Sequence, residues 1–372
     1  MRQKIKPDAK KLVLTGGHAA TTAYALVEEI AERKKGWRVY FIGYQHAVEG
    51  KGVPTLESVI YPKIGISFYG LFTGRLQRHL NFWTIPSLLK IPFGFLHALF
   101  LLLKIRPDIV LSFGGFVGFP VVFCAWLLKI PVVIHEQTST IGRANKFSSL
   151  FAKKIALSRK ESLKYFPSEK SVVVGNPILS KIAKVKPKSK LGEPVTIYVT
   201  GGSRGSQIIN SKIERIIRDL ANSYMIIHQT GFLDFKKFKE IKNNLPERLS
   251  KYYEVHKVID PTEIDNIYRR ADIVVCRSGA NTVSEIIVTR RPAILIPLPF
   301  SYMDEQTGNA LFARKFGVVK IIQQKDLSPK ILLSTIEDVR KNWKNMVTQS
   351  KKKVSPDIHA SKKLVDLLEE YL

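Results

Sequence analysis

VLTGGH, Val13 to His18, and YVTGGS, Tyr198 to Ser203, are near copies of one another. Each closes a short β-branched run and opens a helical pattern, so each reads as strand, glycine turn and helix. Around the first copy, KKLVLTGG (Lys10–Gly17) is a strand, TTAYALVEEIAERKKG (Thr21–Gly36) a helix and WRVYFIG (Trp37–Gly43) the next strand. PDIVLSFGG, PVVIHEQ, KKIALS and SVVVGNP follow as further strands. A second pair repeats in the same order: PDIVLSFGG (Pro107–Gly115) and ADIVVCRSGA (Ala271–Ala280). Strands alternating with helices imply parallel sheets covered on both faces. The double repeat therefore predicts an α/β chain of two Rossmann-like domains facing each other across a cleft, with the glycine loops at the carboxyl ends of the strands.

The 372 residues suit two domains at roughly 100 to 200 residues each. The predicted boundaries are 1–180 for the first domain, 181–194 for a lysine- and proline-bearing linker, 195–355 for the second domain and 356–372 for an amphipathic C-terminal helix. Cys124 and Cys276 lie in apolar runs without metal-type spacing, which predicts buried free thiols in a reducing compartment. The net charge of +28 favours anionic partners. No basic block is interleaved with aromatics, so nucleic acid is not expected among them.

The glycine turns carry the chemistry. Thr15, Gly16 and Gly17 lead into a helix, where glycine lets the backbone approach an anion and the helix start offers free N–H groups. His18 beside them has the right chemistry for a base or a phosphate donor. FGGFVGFP supplies Gly114, Gly115 and Gly118 in a second such turn, with Phe116 and Phe119 facing either core or lipid. In the second half, Ser203 is suited to an anion, and Ala280, Asn281 and Thr282 start a helix. Glu285 stands one turn further on, placed to accept from a ribose diol. Gln306, in the polar cluster DEQTGNA, suits sugar hydroxyls. There is no GxGxxG with a downstream acid, no GxxxxGK[ST], no HExxH and no DxD. NAD, P-loop and metal-dependent chemistries therefore lack support, and no cofactor or metal is expected.

TGGH, PDIVLSFGGFVGFP, PVVIHEQ, VVVGNP, TGGSRGSQIIN, VCRSGANTVSEI and DEQTGNA stand in this order over nearly the whole chain. Each alone is shared by many strand–turn–helix units; together they resemble the MurG family of peptidoglycan transferases. That resemblance implies the GT-B fold and a UDP-GlcNAc-dependent hexosaminyltransferase. The family moves N-acetylglucosamine, with inversion, to the C4 hydroxyl of MurNAc in undecaprenyl-pyrophosphoryl-MurNAc-pentapeptide (lipid I), forming lipid II. It implies ribose binding by Glu285, uracil at the Ile259 backbone, and diphosphate at Ser203 and the Ala280–Thr282 turn. Gln306 would take the donor sugar. His18 would be the base, and the Gly114–Gly118 loop, with Glu136 and Thr138, would serve the acceptor side.

This chain departs from the family pattern at Thr21 (usually proline), Phe116 (usually tyrosine), Thr138 (usually asparagine), Leu179 (usually arginine) and Glu305 (another polar residue in many members). The changes cluster on the acceptor side, which keeps open a related transferase with another lipid acceptor. A UDP-GlcNAc 2-epimerase, which also uses two Rossmann units, is the reading from another enzyme class. The resemblance also implies a peripheral protein on the cytoplasmic face of the cell membrane. Phe68, Tyr69, Leu71, Phe72, Phe82 and Trp83 among Arg75, Arg78, His79 and Lys90 would form an apolar patch ringed by positive charge, suited to an anionic membrane surface. The uncharged run Ile91–Leu103 spans 13 residues. That is short of the roughly 18 to 20 needed to cross a bilayer, so it predicts a buried or interfacial helix.

Overall fold

A computed structural model describes residues 9–17, 19–45, 54–74, 84–202 and 204–372. The chain divides into two compact units, one of residues 1–179 with 356–372 and the other of residues 180–355.

The first unit is built on seven strands: β1 (Lys11–Thr15), β2 (Arg38–Gly43), β3 (Ser67–Gly70), β4 (Ile109–Ser112), β5 (Val132–Glu136), β6 (Lys154–Leu157) and β7 (Ser171–Val173). All neighbours are parallel, in the order β3-β2-β1-β4-β5-β6-β7. The second unit holds β8 (Val195–Thr200), β9 (Tyr224–Gln229), β10 (Tyr253–His256), β11 (Ile273–Cys276), β12 (Ala293–Leu295) and β13 (Val319–Ile321), ordered β10-β9-β8-β11-β12-β13 and again parallel. Helices on both faces explain why β4, β5 and β11 are buried along their whole length and are mostly apolar, β5 ending in the buried pair His135 and Glu136. Both sequence repeats fall at the same place in each sheet. Leu14 pairs with Leu111 and Val199 with Val275, on adjacent central strands where the strand order reverses. That reversal is where an open parallel sheet receives its ligand.

The six strands expected in the first half are all present, and β3 is an additional one. Its residues Phe68 and Tyr69 had been assigned to a membrane patch, but Phe68 stacks on Phe41 at 6.0 Å and Leu71 is buried. Phe82, Trp83, Arg75, Arg78 and His79 lie outside the described residues. The apolar run is part of a longer helix, Thr84–Ile105. By length and composition its Ser87–Ile105 portion is apolar enough to cross a membrane. In the fold it connects parallel strands β3 and β4 and packs on the helix Gly118–Leu127, burying Ala98, Leu101, Leu102 and Ile105.

Residues 181–194, expected as a linker, are folded into the second unit, where buried Asp272 gathers them. Lys188 Nζ reaches Asp272 Oδ1 at 2.7 Å, Gly192 N donates to the same oxygen and Thr196 N to the other. The C-terminal segment returns to the first unit. Leu364, Val365, Leu367 and Leu368 join the core with Leu26, Ile30 and Phe41. Buried Asp357 takes Arg159 Nη2 at 2.9 Å and Asn176 N at 2.8 Å. Cys124 and Cys276 are buried free thiols.

Candidate functional site

In the first unit the loops after β1 and β4 touch. Phe113 N donates to Thr15 O (2.8 Å), and Gly17 N to Gly114 O (3.1 Å). Gly114 and Gly115 adopt φ of +78° and +81°. A Cβ at Gly115 would lie 2.8 Å from Gly17 N, so side chains are excluded by the loops' own contact. Gly118 opens the helix Gly118–Leu127, with its N–H on Gly115 O. Phe116 packs edge-on against Tyr44, and Phe119 joins an aromatic cluster with Phe95, Phe123, Phe147 and Phe151.

Two carboxylates are used internally at this edge. Glu57, itself buried, accepts the Ala19 N–H (3.1 Å) just before the helix Ala20–Glu32, so the helix start already faces a negative group. Glu136, at the end of β5, receives four donors. Thr138 N (3.2 Å) and Thr138 Oγ1 (2.9 Å) bond to Oε1; Gly142 N (2.8 Å) and Asn145 Nδ2 (3.0 Å) bond to Oε2. Burial raises its pKa and these bonds act against that rise. Beside it, burial lowers the His135 imidazole to about 4, so the ring is neutral, held through Nε2 on Gly175 O. The Thr15 hydroxyl and Asn145 Oδ1 are buried without a partner among the described residues.

In the second unit, Gly202 and Gly205 take φ of +81° and +76°, and Gly205 N bonds back to Gly202 O. Gln229, at the end of β9, braces three loops. Its Nε2 donates to Thr200 Oγ1 (3.0 Å) and Gly202 O (2.8 Å), and its Oε1 accepts Ile259 N (2.9 Å). The Ile259 N–H is therefore committed, leaving its carbonyl for a ligand. Arg277, just past β11, donates to Ser206 Oγ, Ile296 O, Pro297 O and Gln324 Oε1. Burial lowers its pKa, yet guanidinium stays charged, and its charge meets only neutral acceptors here.

The helix Ala280–Thr289 begins after Gly279 with no side-chain cap. Gly279 has φ of −64°, and a Cβ there would meet nothing within 4 Å. Neither conformation nor crowding within the unit requires glycine at this helix start, whose first N–H groups lack intrahelical acceptors. Ser278 Oγ donates to Gln306 O, and Asn309 Nδ2 to Ser278 O, fixing the turn to the helix Glu305–Arg314. Gln306 Oε1 accepts Leu298 N, which leaves its Nε2 available. Glu285 accepts the Tyr268 hydroxyl at Oε2 (2.9 Å). Burial pushes its carboxyl up to about 7, which the Tyr268 bond partly offsets.

The N-terminal domain of glycosyltransferase family 28 matches residues 15–157, and the C-terminal domain of that family matches residues 196–368. A curated relative from Halothermothrix orenii is 35% identical, over 97% of this chain and 98% of its own length. It is named UDP-N-acetylglucosamine–N-acetylmuramyl-(pentapeptide) pyrophosphoryl-undecaprenol N-acetylglucosamine transferase. This chain belongs to glycosyltransferase family 28. The crystal structure of Acinetobacter baumannii MurG has the same fold, with a TM-score of 0.67 at 24% identity, covering 97% of this chain and 99% of that one. A putative UDP-N-acetylglucosamine 2-epimerase from Listeria monocytogenes shares the fold at 13% identity and a TM-score of 0.64, covering 98% of this chain and 97% of its own. The two-domain GT-B architecture is thus common to both.

Within this family 28 chain, the sequence-predicted residues divide by unit. Thr15, Gly16, Gly17, Gly114, Gly115 and Gly118 meet at one switch point, with Glu136 and Thr138 on the neighbouring strand end. Ala280, Asn281, Thr282 and Glu285 share one helix, and Ser278 ties that helix start to Gln306. His18 and Ser203 lie outside the described residues. Gln229, Tyr268 and Glu57 were not singled out from sequence. Each is one polar residue in an ordinary strand or helix, and only its tertiary partners reveal it.

Proposed function

We propose that this chain is an inverting transferase that moves N-acetylglucosamine from UDP-GlcNAc to the C4 hydroxyl of MurNAc in lipid I, forming lipid II. The observation that carries this reading is the full-length match to a transferase of that name at 35% identity. The second unit's loops support the donor half. The uncapped helix start at Ala280 suits the diphosphate, whose negative charge grows as the sugar–phosphate bond breaks. Glu285 Oε1 is left for the ribose, and Gln306 Nε2 for the sugar. On the acceptor side a base must take the C4 proton as the hydroxyl attacks the anomeric carbon. Glu136 is poorly suited, because four donors occupy its oxygens. His18 is the base in this reading.

The test is transfer of labelled sugar from UDP-GlcNAc to lipid I in detergent with EDTA present. Lipid II formation is the expected result. Binding of UDP-GlcNAc without lipid II would point to a different lipid acceptor, in keeping with Thr138 and Leu179. Conversion of UDP-GlcNAc to its 2-epimer would replace the transferase reading.

We also place the protein peripherally on the cytoplasmic membrane face. The helix Thr84–Ile105 leaves Ile85, Leu88, Leu89, Phe93, Leu96, Phe100 and Leu103 exposed opposite its buried side. Trp126, Leu127, Phe147 and Leu150 are exposed in the same unit. Lys104, Lys129, Arg143 and Lys146 are exposed in these segments, which suits an anionic bilayer. Phe93→Asp with Phe100→Asp should release the protein from anionic vesicles in flotation; undiminished flotation would remove this face from the membrane role.

A further inference from the structure

Among the described residues the Glu285 carboxylate has one donor, and that donor is unusually well fixed. Tyr268 lies on the helix Ile264–Arg270 and is fully buried. Its carbonyl accepts Arg291 Nε at 2.7 Å, and Arg291 also donates to Thr289 O and Lys186 O. The same guanidinium thereby ties the Tyr268 backbone to the far end of the helix that carries Glu285. The Tyr268 ring meets Tyr198 edge to face, with centroids 6.1 Å apart. Its hydroxyl reaches Glu285 Oε2 at 2.9 Å, and among the described residues Oε1 has no donor.

We propose that Tyr268 is the positioning residue of the ribose site: its anchored hydroxyl fixes the Glu285 carboxylate through Oε2 and leaves Oε1 to the ribose hydroxyls. The proposal rests on the UDP-sugar reading above. Ionised, a carboxylate is acceptor-only at both oxygens, whereas protonation makes one of them a donor, and a hydrogen bond to the charged form favours that form. Tyr268 thus sets both the direction and the charge of the group that receives the nucleoside.

The groups facing Glu285 are Tyr268, Tyr198 on β8 and Cys276 on β11. Burial raises the pKa of all three, so they stay neutral near pH 7. The other elements packed on this helix carry Lys181, which donates to Thr262 O, and Glu305 and Arg314. Burial and the Tyr268 hydroxyl govern the Glu285 ionisation, and no cation among the described residues contributes to it.

The experiment is calorimetry of UDP-GlcNAc binding from pH 6 to 9 on the full chain, for the wild type, Tyr268→Phe and Glu285→Gln. UDP-GlcNAc is the probe because its phosphates lack the second ionisation near pH 6 of a terminal phosphate. Wild-type affinity should rise with pH through about 7. Tyr268→Phe should bind roughly tenfold more weakly at pH 7, as expected for losing a hydrogen bond to a charged group. Its midpoint should move upward, so that the deficit closes at high pH. An equal loss at every pH would mean a merely structural role and overturn the proposal, as would unchanged binding. If Glu285→Gln leaves affinity unchanged, the ribose reading itself fails. Carboxyl-carbon NMR of wild-type Glu285 gives a check that does not depend on the variants folding. A midpoint near 7 supports the arrangement, and one in the ordinary carboxylate range overturns it.

Discussion

Glu136 closes strand β5 of the first unit, Glu285 stands in the second turn of the helix after β11 in the second, and the two have opposite fates. Both are pushed up by burial. Among the described residues, Glu136 is surrounded by four donors from its own loop, whereas Glu285 has a single donor and a spare oxygen. The helix starts differ in the same sense. Glu57 faces the one after β1, while no side chain caps the one after β11. Burial alone therefore does not distinguish a carboxylate with a spare oxygen from a satisfied one. Counting the donors does, because a satisfied carboxylate has little left to offer a ligand.

The largest effect that tests this contrast is on stability. Glu136→Ala removes the acceptor of Thr138 N, Thr138 Oγ1 and Gly142 N, and one of the two acceptors of Asn145 Nδ2, which keeps His135 O. At about 1 kcal/mol for each lost bond, roughly 4 kcal/mol should be lost. Urea unfolding measures this, and exchange of the Gly142 amide should quicken. UDP-GlcNAc affinity should be unchanged. A variant with normal stability but no transfer would make Glu136 a chemical group and break the comparison.

Gln229→Ala applies the same accounting to the second unit. It strips partners from Thr200 Oγ1, Gly202 O and Ile259 N at once. Stability should fall by about 2 to 3 kcal/mol. If the second unit takes the donor, as proposed, UDP-GlcNAc affinity should also fall, by roughly tenfold. Loss of stability with full affinity would show that this brace does not shape the donor site.

The architecture was open to reading because it is written in local pattern. VLTGG and YVTGG, with DIVLS and DIVVC, mark the two central strand pairs, and buried parallel strands cannot hide their apolar runs. What escaped was decided by distant partners. Lys188 has the look of a linker lysine until Asp272 is placed beside it. The C-terminal helix could have capped either unit, and Asp357 with Arg159 fixes which one receives it. β3 is short and bounded by Ser67 and Gly70, so its two aromatics read as surface. Glu285 was singled out from its place near a helix start, whereas nothing local pointed to Tyr268, whose contact with it spans 17 residues.

The smallest effect has the opposite sign and concerns pH. Glu285 titrates near 7 in the folded protein, against about 4.3 in an unfolded chain. A carboxyl whose folded pKa is raised contributes stability below the unfolded value, and that contribution is lost as pH rises through the folded one. Ionised Glu285 therefore weakens the unliganded fold above pH 7. Glu285→Gln removes the charge and keeps an acceptor for Tyr268, so it should be more stable than the wild type by about 2 kcal/mol at pH 8, with the gain shrinking toward pH 4. Thermal unfolding at the two pH values measures it. Glu136→Gln should show no such gain, because an amide nitrogen would face donors that need an acceptor. If both glutamine variants respond alike, donor count does not separate the two sites and the contrast fails. If only Glu285→Gln is stabilised, the second unit holds a carboxylate at a cost in stability that its own fold does not require, as expected of a residue kept for a ligand.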